Sequence, residues 1–311
     1  MNSKIGILLT SRNNYQMLKN WYISANTNEF DILNIDEDSE AENKKVGAEI
    51  CAELGIAYMD RDKRGMQNNL TTAGEYFKDR GIEWVIWFQH DCWPLESDFF
   101  TKINQYLNDS DLNEFGVVGF NCYHSERARN DLSRVGFELN DTARTPLEPG
   151  DKWYRNKKYW NSTRVDYNSG KFDKPFAVES VAWYCAMVNI DQYFKYIIPT
   201  DEYHFFHAWD DIAFQFLNNN VYNICIPSFN IGHFQNIKAN YDIPINSPKA
   251  AEKRDYFYSK WGHLDVWKKR WGFSYEDRKT FEMVKDRYKD TLLWNFYHHD
   301  PINGPLKSFD I

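Results

Sequence analysis

The side chains of this chain that could do chemistry fall in a few short clusters. Asp91 stands in Gln89-His90-Asp91-Cys92-Trp93-Pro94, after the apolar run Trp84–Phe88. Asp36 opens Asp36-Glu37-Asp38-Ser39, after the short run Phe30–Ile35. Thr10 and Arg12 belong to Thr10-Ser11-Arg12-Asn13-Asn14, after Ile5–Leu9. Asp210 and Asp211 are adjacent near the start of a helical pattern, Arg64 precedes another, and His233 lies in Ile231–Phe234. Carboxylates and imidazoles hold divalent cations, and either can take a proton from a hydroxyl. Plainer readings stand beside these. Acids in a first helical turn also suit the macrodipole. A lone histidine is commonly a satisfied structural one. His298-His299-Asp300 has the composition of a ligand cluster but precedes Pro301 and reads as a turn. Arg127, Arg129, Arg134 and Arg144 are interleaved with acids and read as solvated surface.

The elements that must position these groups alternate. Strands are predicted at Ile5–Leu9, Phe30–Ile35, Ile56–Met59 and Trp84–Phe88. Helices are predicted between them at Tyr15–Ser24, Glu40–Leu54 and Asn68–Arg80, the last two stopped by Gly55 and Gly81. Such alternation implies parallel pairing with helices on both faces of the sheet. Ligands then sit beyond the carboxyl ends of the strands. Thr10–Asn14, Asp36–Ser39 and Gln89–Cys92 all fall there. Each alone is an ordinary polar loop, whereas three converging on one edge point to a ligand. Further on, a helix is predicted at Asp98–Leu107, strands at Phe115–Phe120, Val178–Val188 and Val221–Pro227, and a helix at His207–Asn218. Residues 121–176 lack periodicity and read as a long excursion of the kind that is often functional. From about Asn240 the chain is charged, aromatic and mainly helical, which divides it into a domain over 1–240 and an extension over 241–311.

Composition narrows the partners. A net charge of −8 argues against a nucleic-acid backbone as the main ligand. The five cysteines are scattered and odd in number, with no CxxC pair, so neither a zinc knuckle nor a disulfide framework is expected. A reducing compartment, the cytoplasm, is the expectation. The first ten residues read as a strand and lack the pattern of a signal peptide. No stretch approaches the length of a membrane span. An aromatic fraction of 17% makes carbohydrate a plausible ligand without proving it, since aromatics are first of all core material.

In their order, these pieces resemble the family-2-type glycosyltransferases of the GT-A fold, over roughly residues 4–235. Thr10-Ser11-Arg12-Asn13 resembles that family's opening loop. Ile35-Asp36-Glu37-Asp38-Ser39 resembles its hydrophobic-Asp-x-x-Ser turn, and Arg64-Gly65-Met66-Gln67-Asn68-Asn69 its Gly/Asn segment. Trp84–Pro94 resembles the strand and metal-binding DXD motif, Trp209-Asp210-Asp211 the acidic pair, and Ile231-Gly232-His233 the late histidine. The resemblance implies a GT-A-like, Rossmann-type, mostly parallel sheet flanked by helices. It implies transfer of a sugar from a nucleoside-diphosphate sugar to a hydroxyl acceptor, with inversion. Thr10 and Asp36 would hold the nucleoside and Arg64 would lie near the diphosphate, with Arg12 also in the nucleotide site, where Arg12, Lys63 or Arg64 could add positive charge. Asp91 and His233 would hold Mn2+ or Mg2+. Asp211, or failing it Asp210, would be the base. The sequence departs from the DXD pattern at Gln89, an amide where an acid is usual. That departure keeps two alternatives open: metal-independent activity, and a non-catalytic carbohydrate-binding protein on a degenerate transferase scaffold. Another nucleotide-dependent transferase, such as a nucleotidyltransferase, fits less well because the loop after the first strand has no glycine.

Overall fold

The structure is a computed structural model. It describes residues 3–25, 27, 29–62, 65–90, 92–125, 174–181, 185–203, 207–234, 252, 256–257, 259–261, 288–298 and 306–311. Strands β1 (Ile5–Ser11), β2 (Ile32–Glu37), β3 (Ala57–Arg61) and β4 (Trp84–Gln89) pair in parallel, in the order β3-β2-β1-β4. Helices α1 (Tyr15–Ala25), α2 (Ala41–Leu54) and α3 (Met66–Lys78) connect them. Every residue of β1 is buried, as a central parallel strand covered on both faces requires. Its side chains alternate between two cores. Ile5, Ile7 and Leu9 join Trp21, Phe88, Phe99 and Phe100 on one face. Leu8 joins Leu70, Phe77, Trp87 and Trp209 on the other.

The second half of the sheet is mixed. After β5 (Cys92–Pro94) and helix α4 (Phe99–Asp109) come β6 (Phe115–Ser125), β7 (Phe176–Val178), β8 (Cys185–Asn189) and β9 (Tyr222–Phe234). β8 is antiparallel to both β4 and β6, and β9 runs parallel to β6 and antiparallel to β5 and β7. The segment expected as one strand over Val178–Val188 is therefore two strands that pair with different neighbours. The strand expected at Val221–Pro227 runs on to Phe234 and so includes Ile231–Phe234. Its register jumps from Phe120↔Ile226 to Asn121↔Asn230, and Pro227 sits in that irregularity, where no ladder hydrogen bond is asked of it. Of the expected excursion, 121–125 continues β6, and 126–173 lies outside the described residues.

Helices α5 (Ile190–Tyr196), α6 (Ala208–Asn218) and α7 (Leu292–His298) complete the described elements. The described residues of the C-terminal extension share the main core. Phe257, Trp261, Leu292, Leu293 and Phe296 are buried with α3 and α6. Phe309 lies 4.9 Å from Phe115, and the Ala177 N–H donates to the Lys307 carbonyl at 2.8 Å. Among the described residues no helix is long and apolar enough to cross a membrane. Cys51, Cys92, Cys185 and Cys225 are buried thiols outside any disulfide.

Candidate active site

The parallel register places Thr10 beside both Ile35 and Gln89, and Ser11 beside Asp36. The carboxyl ends of β1, β2 and β4 thus share one edge, and the three polar clusters converge as the alternation predicted. Two loops at that edge are tied to each other. Asn13 and Asp38 both adopt left-handed backbone, with φ of 53° and 61°, a conformation that asparagine and aspartate tolerate best after glycine. The Asn13 N–H donates to Ser39 Oγ at 3.0 Å, and the Glu40 N–H donates to Asn13 Oδ1 at 2.9 Å. Arg12 Nε donates to the Asp38 carbonyl at 3.2 Å.

Asp36 lies beneath these loops with no exposed surface. One oxygen accepts from the Ser39 N–H at 2.9 Å and the other from the Tyr15 hydroxyl. The ring of Tyr15 reaches it over Gly47 of α2, where a Cβ would fall 2.2 Å from Tyr15 Cζ. Burial, then the hydrogen bond and charge of Asp36, push the Tyr15 phenol far above its ordinary value. The same carboxylate adds to burial in raising the Cys51 thiol, pushed up to about 12. Expected from the sequence to meet the nucleoside, Asp36 is the interior anchor of the loops that line this edge.

The start of α3 forms the next wall. Gly65 caps it with φ of 154°, which disfavours any side chain, and its N–H donates to Glu37 Oε1 at 3.4 Å. Gln67, fully buried, ties α3 to α6. Its Nε2 donates to Asp211 Oδ2 at 2.9 Å and to the Ala208 carbonyl at 3.2 Å, while its Oε1 accepts from the Thr200 N–H at 2.9 Å. Arg64 lies outside the described residues.

The start of α6 carries the acidic pair. Adjacent helical residues point about 100° apart, so the two acids meet different surroundings. Asp211 faces inward with no exposure and accepts from Gln67, Gln215 (2.8 Å), Tyr203 (3.3 Å), Trp261 (2.7 Å) and Lys260, whose Nζ is 2.8 Å from Oδ1. Burial, then the Asp211 charge, raise the Tyr203 phenol far above its usual value. A carboxylate so enclosed has no open lone pair for an incoming hydroxyl. Asp211, the residue expected from the sequence as the base, is thus held by five donors from α3, from α6 and the residues before it, and from the C-terminal segment. Asp210 instead accepts from Ser180 Oγ at 2.6 Å and pairs with His207 Nδ1 at 3.0 Å. His207, the N-cap, has φ of 63° and stacks on Phe257 at 4.8 Å.

An aromatic bridge joins the two ends of the site. Trp87 of β4 packs on Trp209 of α6 with ring centroids 5.6 Å apart, and its Nε1 donates to Thr10 Oγ1 at 3.2 Å. Thr10 and the Asp210 end of α6 are held together through two buried rings.

Asp91 lies outside the described residues, as does the imidazole of His233. The backbone of β9 places His233 opposite Cys92 of β5, the residue after Asp91. His90, the residue before it, has a buried Nδ1 with no hydrogen-bond partner among the described residues. Among the described residues no three His, Cys, Asp or Glu side chains gather as a metal site.

No protein-family model matches the chain, and no curated protein matches it in sequence. Solved structures do match. The chain superposes on GalNAc-T7, determined with UDP, GalNAc and Mn2+, over 95% of its own length with a TM-score of 0.52 at 12% identity. The fold is GT-A-like. The chain spans 56% of the length of GalNAc-T7. It also matches the mannosyltransferase PcManGT from Pyrobaculum calidifontis, in complex with GDP-Man and Mn2+, over 92% of this chain and 69% of that one, at 12% identity and a TM-score of 0.47. On the GT-A-like sheet, the structure brings together Thr10, Arg12 and Asp36 at one strand edge and links Thr10 to Asp210. Sequence reasoning missed His207, Ser180, Tyr15, Lys260 and Trp261. His207 was within reach of it, since it opens the turn that contains the acidic pair.

Proposed function

We propose that this protein transfers a glycosyl group from a nucleoside-diphosphate sugar to a hydroxyl acceptor, with inversion at the anomeric carbon. The observation that carries this reading is the Thr10–Trp87–Trp209 bridge on a GT-A-like sheet. It couples the loop edge of β1 and β2, suited to a nucleoside, to the polar start of α6, suited to an acceptor. Thr10 and Arg12 face the nucleotide, Asp36 holds their loop, and Arg64 meets the diphosphate. Proton removal from the acceptor belongs at Asp210, since Asp211 is sealed. The C-terminal extension supports the acceptor side through Phe257, which stacks on His207.

The unpartnered imidazole nitrogen of His90, with the carboxylate of Asp91 and the imidazole of His233, is a donor set that fits a divalent cation. Mn2+ or Mg2+ held by Asp91 and His233 would supply positive charge to the leaving diphosphate. The protein's own groups do the rest: the loops orient the nucleotide, and the buried rings keep water from the bond that breaks.

The test is thermal unfolding against a panel of nucleoside diphosphates, with and without Mn2+. A ligand at about 100 times its dissociation constant adds about 2.7 kcal/mol. Stabilisation by one nucleotide, larger with Mn2+, supports the reading and names the donor class. Stabilisation by sugars alone favours the carbohydrate-binding alternative, for which Gln89 speaks. No response to any nucleotide sinks the transferase.

A further inference from the structure

Resting on that transferase reading and deepening its metal site, we infer that His90, His124 and His233 form a nitrogen-rich cation site that prefers zinc-like transition-metal ions to Mg2+. The topology brings the three positions to one edge. β4, β6 and β9 run in the same direction, since β8 is antiparallel to both β4 and β6, and β9 is parallel to β6. His90 directly follows β4, His124 is the last residue but one of β6, and His233 is the last but one of β9. Three of the chain's eight histidines therefore stand at carboxyl ends of like-directed strands, where ligands of such sheets bind.

Register tightens the convergence. His124 pairs with His233 across β6 and β9, and His233 pairs with Cys92 across β9 and β5. Residues in register on neighbouring strands share a face, and neighbouring strands are about 4.8 Å apart, so the two histidine positions are adjacent in one row. That row also lies near the end of β4. Gln89 belongs to β4 and Cys92 to β5, and the chain between them can span at most about 11 Å. His90 stands inside that span. Its Nδ1 is buried and has no hydrogen-bond partner among the described residues, a costly arrangement unless the nitrogen meets a ligand.

The donor types decide the metal. Imidazole suits Zn2+, Co2+ and their neighbours, whereas Mg2+ takes oxygen ligands. From Gln89 to Cys92 the only acid is Asp91, so carboxylates are few at this edge and imidazoles are many. A cation held by neutral imidazoles keeps more of its positive charge than one held by carboxylates, and that charge is what a leaving diphosphate needs.

Calorimetric titration of the full-length protein, freed of metal by chelation and without nucleotide, tests this with Zn2+, Co2+, Mn2+ and Mg2+. The expected result is a single site that binds Zn2+ and Co2+ at least about tenfold more tightly than Mg2+, with Mn2+ between. His90→Ala, His124→Ala and His233→Ala, each checked for folding by circular dichroism, should weaken Zn2+ binding by at least about 10- to 100-fold, the loss that even an outer-shell partner brings. Each should also change the visible absorption of bound Co2+, which reports its ligands. The double variant His298→Ala, His299→Ala removes the other histidine pair and should bind as wild type does. Mg2+ bound as tightly as Zn2+ overturns the inference, and that result needs no variant to fold. Folded His124→Ala that binds Zn2+ within about threefold of wild type overturns it too, as does loss of Zn2+ binding in the His298, His299 variant. A nucleoside diphosphate that stabilises the protein with no preference among these cations keeps the transferase and overturns the site. Zn2+ held through the three histidines in a protein that no nucleoside diphosphate stabilises keeps the metal site and overturns the transferase.

Discussion

Replacing Asp211 by alanine removes an acceptor on which five side chains converge, and the structure sets the size of the effect. Gln67 and Gln215 keep second acceptors, the Ala208 and Ile198 carbonyls at 3.2 and 3.3 Å. Trp261 Nε1 and the Tyr203 hydroxyl both donate to Asp211, and each left unsatisfied costs about 1–3 kcal/mol. Lys260 is 29% exposed and can rehydrate in part, which keeps its share below that of a wholly buried cation. The total is about 3–5 kcal/mol, against the roughly 5–15 kcal/mol by which a native protein is stable. Asp210→Asn is the control. Its amide carbonyl still accepts from Ser180, so the loss should be within about 1 kcal/mol. Urea unfolding followed by far-UV circular dichroism reads both. Asp211→Ala losing less than about 1 kcal/mol would refute the clamp and reopen Asp211 as a chemical group.

Three further outcomes are expected. Gly47→Ala puts a Cβ 2.2 Å from the Tyr15 ring; overpacking of about 1–3 kcal/mol should lower the melting temperature and, by shifting Tyr15 from Asp36, weaken nucleotide binding in calorimetry. The phenols of Tyr193 and Tyr203 are raised above their ordinary value of 10.0, chiefly by burial. Their contribution is therefore fully present below about pH 10 and is lost as pH rises, because the unfolded chain releases protons that the folded one keeps; each adds about 1.4 kcal/mol per pH unit of alkaline destabilisation, and Tyr193→Phe should remove one such share of the slope in denaturant titrations at pH 9–11. Asp91→Ala should abolish the Mn2+-dependent part of nucleotide stabilisation and leave the metal-free part; an undiminished Mn2+ effect refutes its role as ligand.

Much of the frame was legible because buried parallel strands are written as continuous apolar runs. Ile5–Leu9 and Trp84–Phe88 could be placed, and with them the edge where Thr10, Asp36 and Gln89 meet. Three things were hidden, each for a physical reason. Asp210 and Asp211 are neighbours in sequence, but a helix turns them to different surroundings, and sequence does not say which one faces inward. Lys260 and Trp261 meet Asp211 across 49 and 50 residues, beyond the reach of any local pattern. The run around 178–188 is apolar except for Glu179 and Ser180, and that one polar pair is the sole local mark of the break between the strands Phe176–Val178 and Cys185–Asn189.

The clamp on Asp211 also bears on the order in which the protein is made. Helix α6 leaves the ribosome with its inward carboxylate already placed, but the cation and indole that neutralise it are synthesised about fifty residues later. Until they arrive, closing α6 onto α3 would bury a charge without its counter-ion. The face of the sheet that carries the bridge from Thr10 to Asp210 is therefore expected to close only once the chain has doubled back with Lys260 and Trp261.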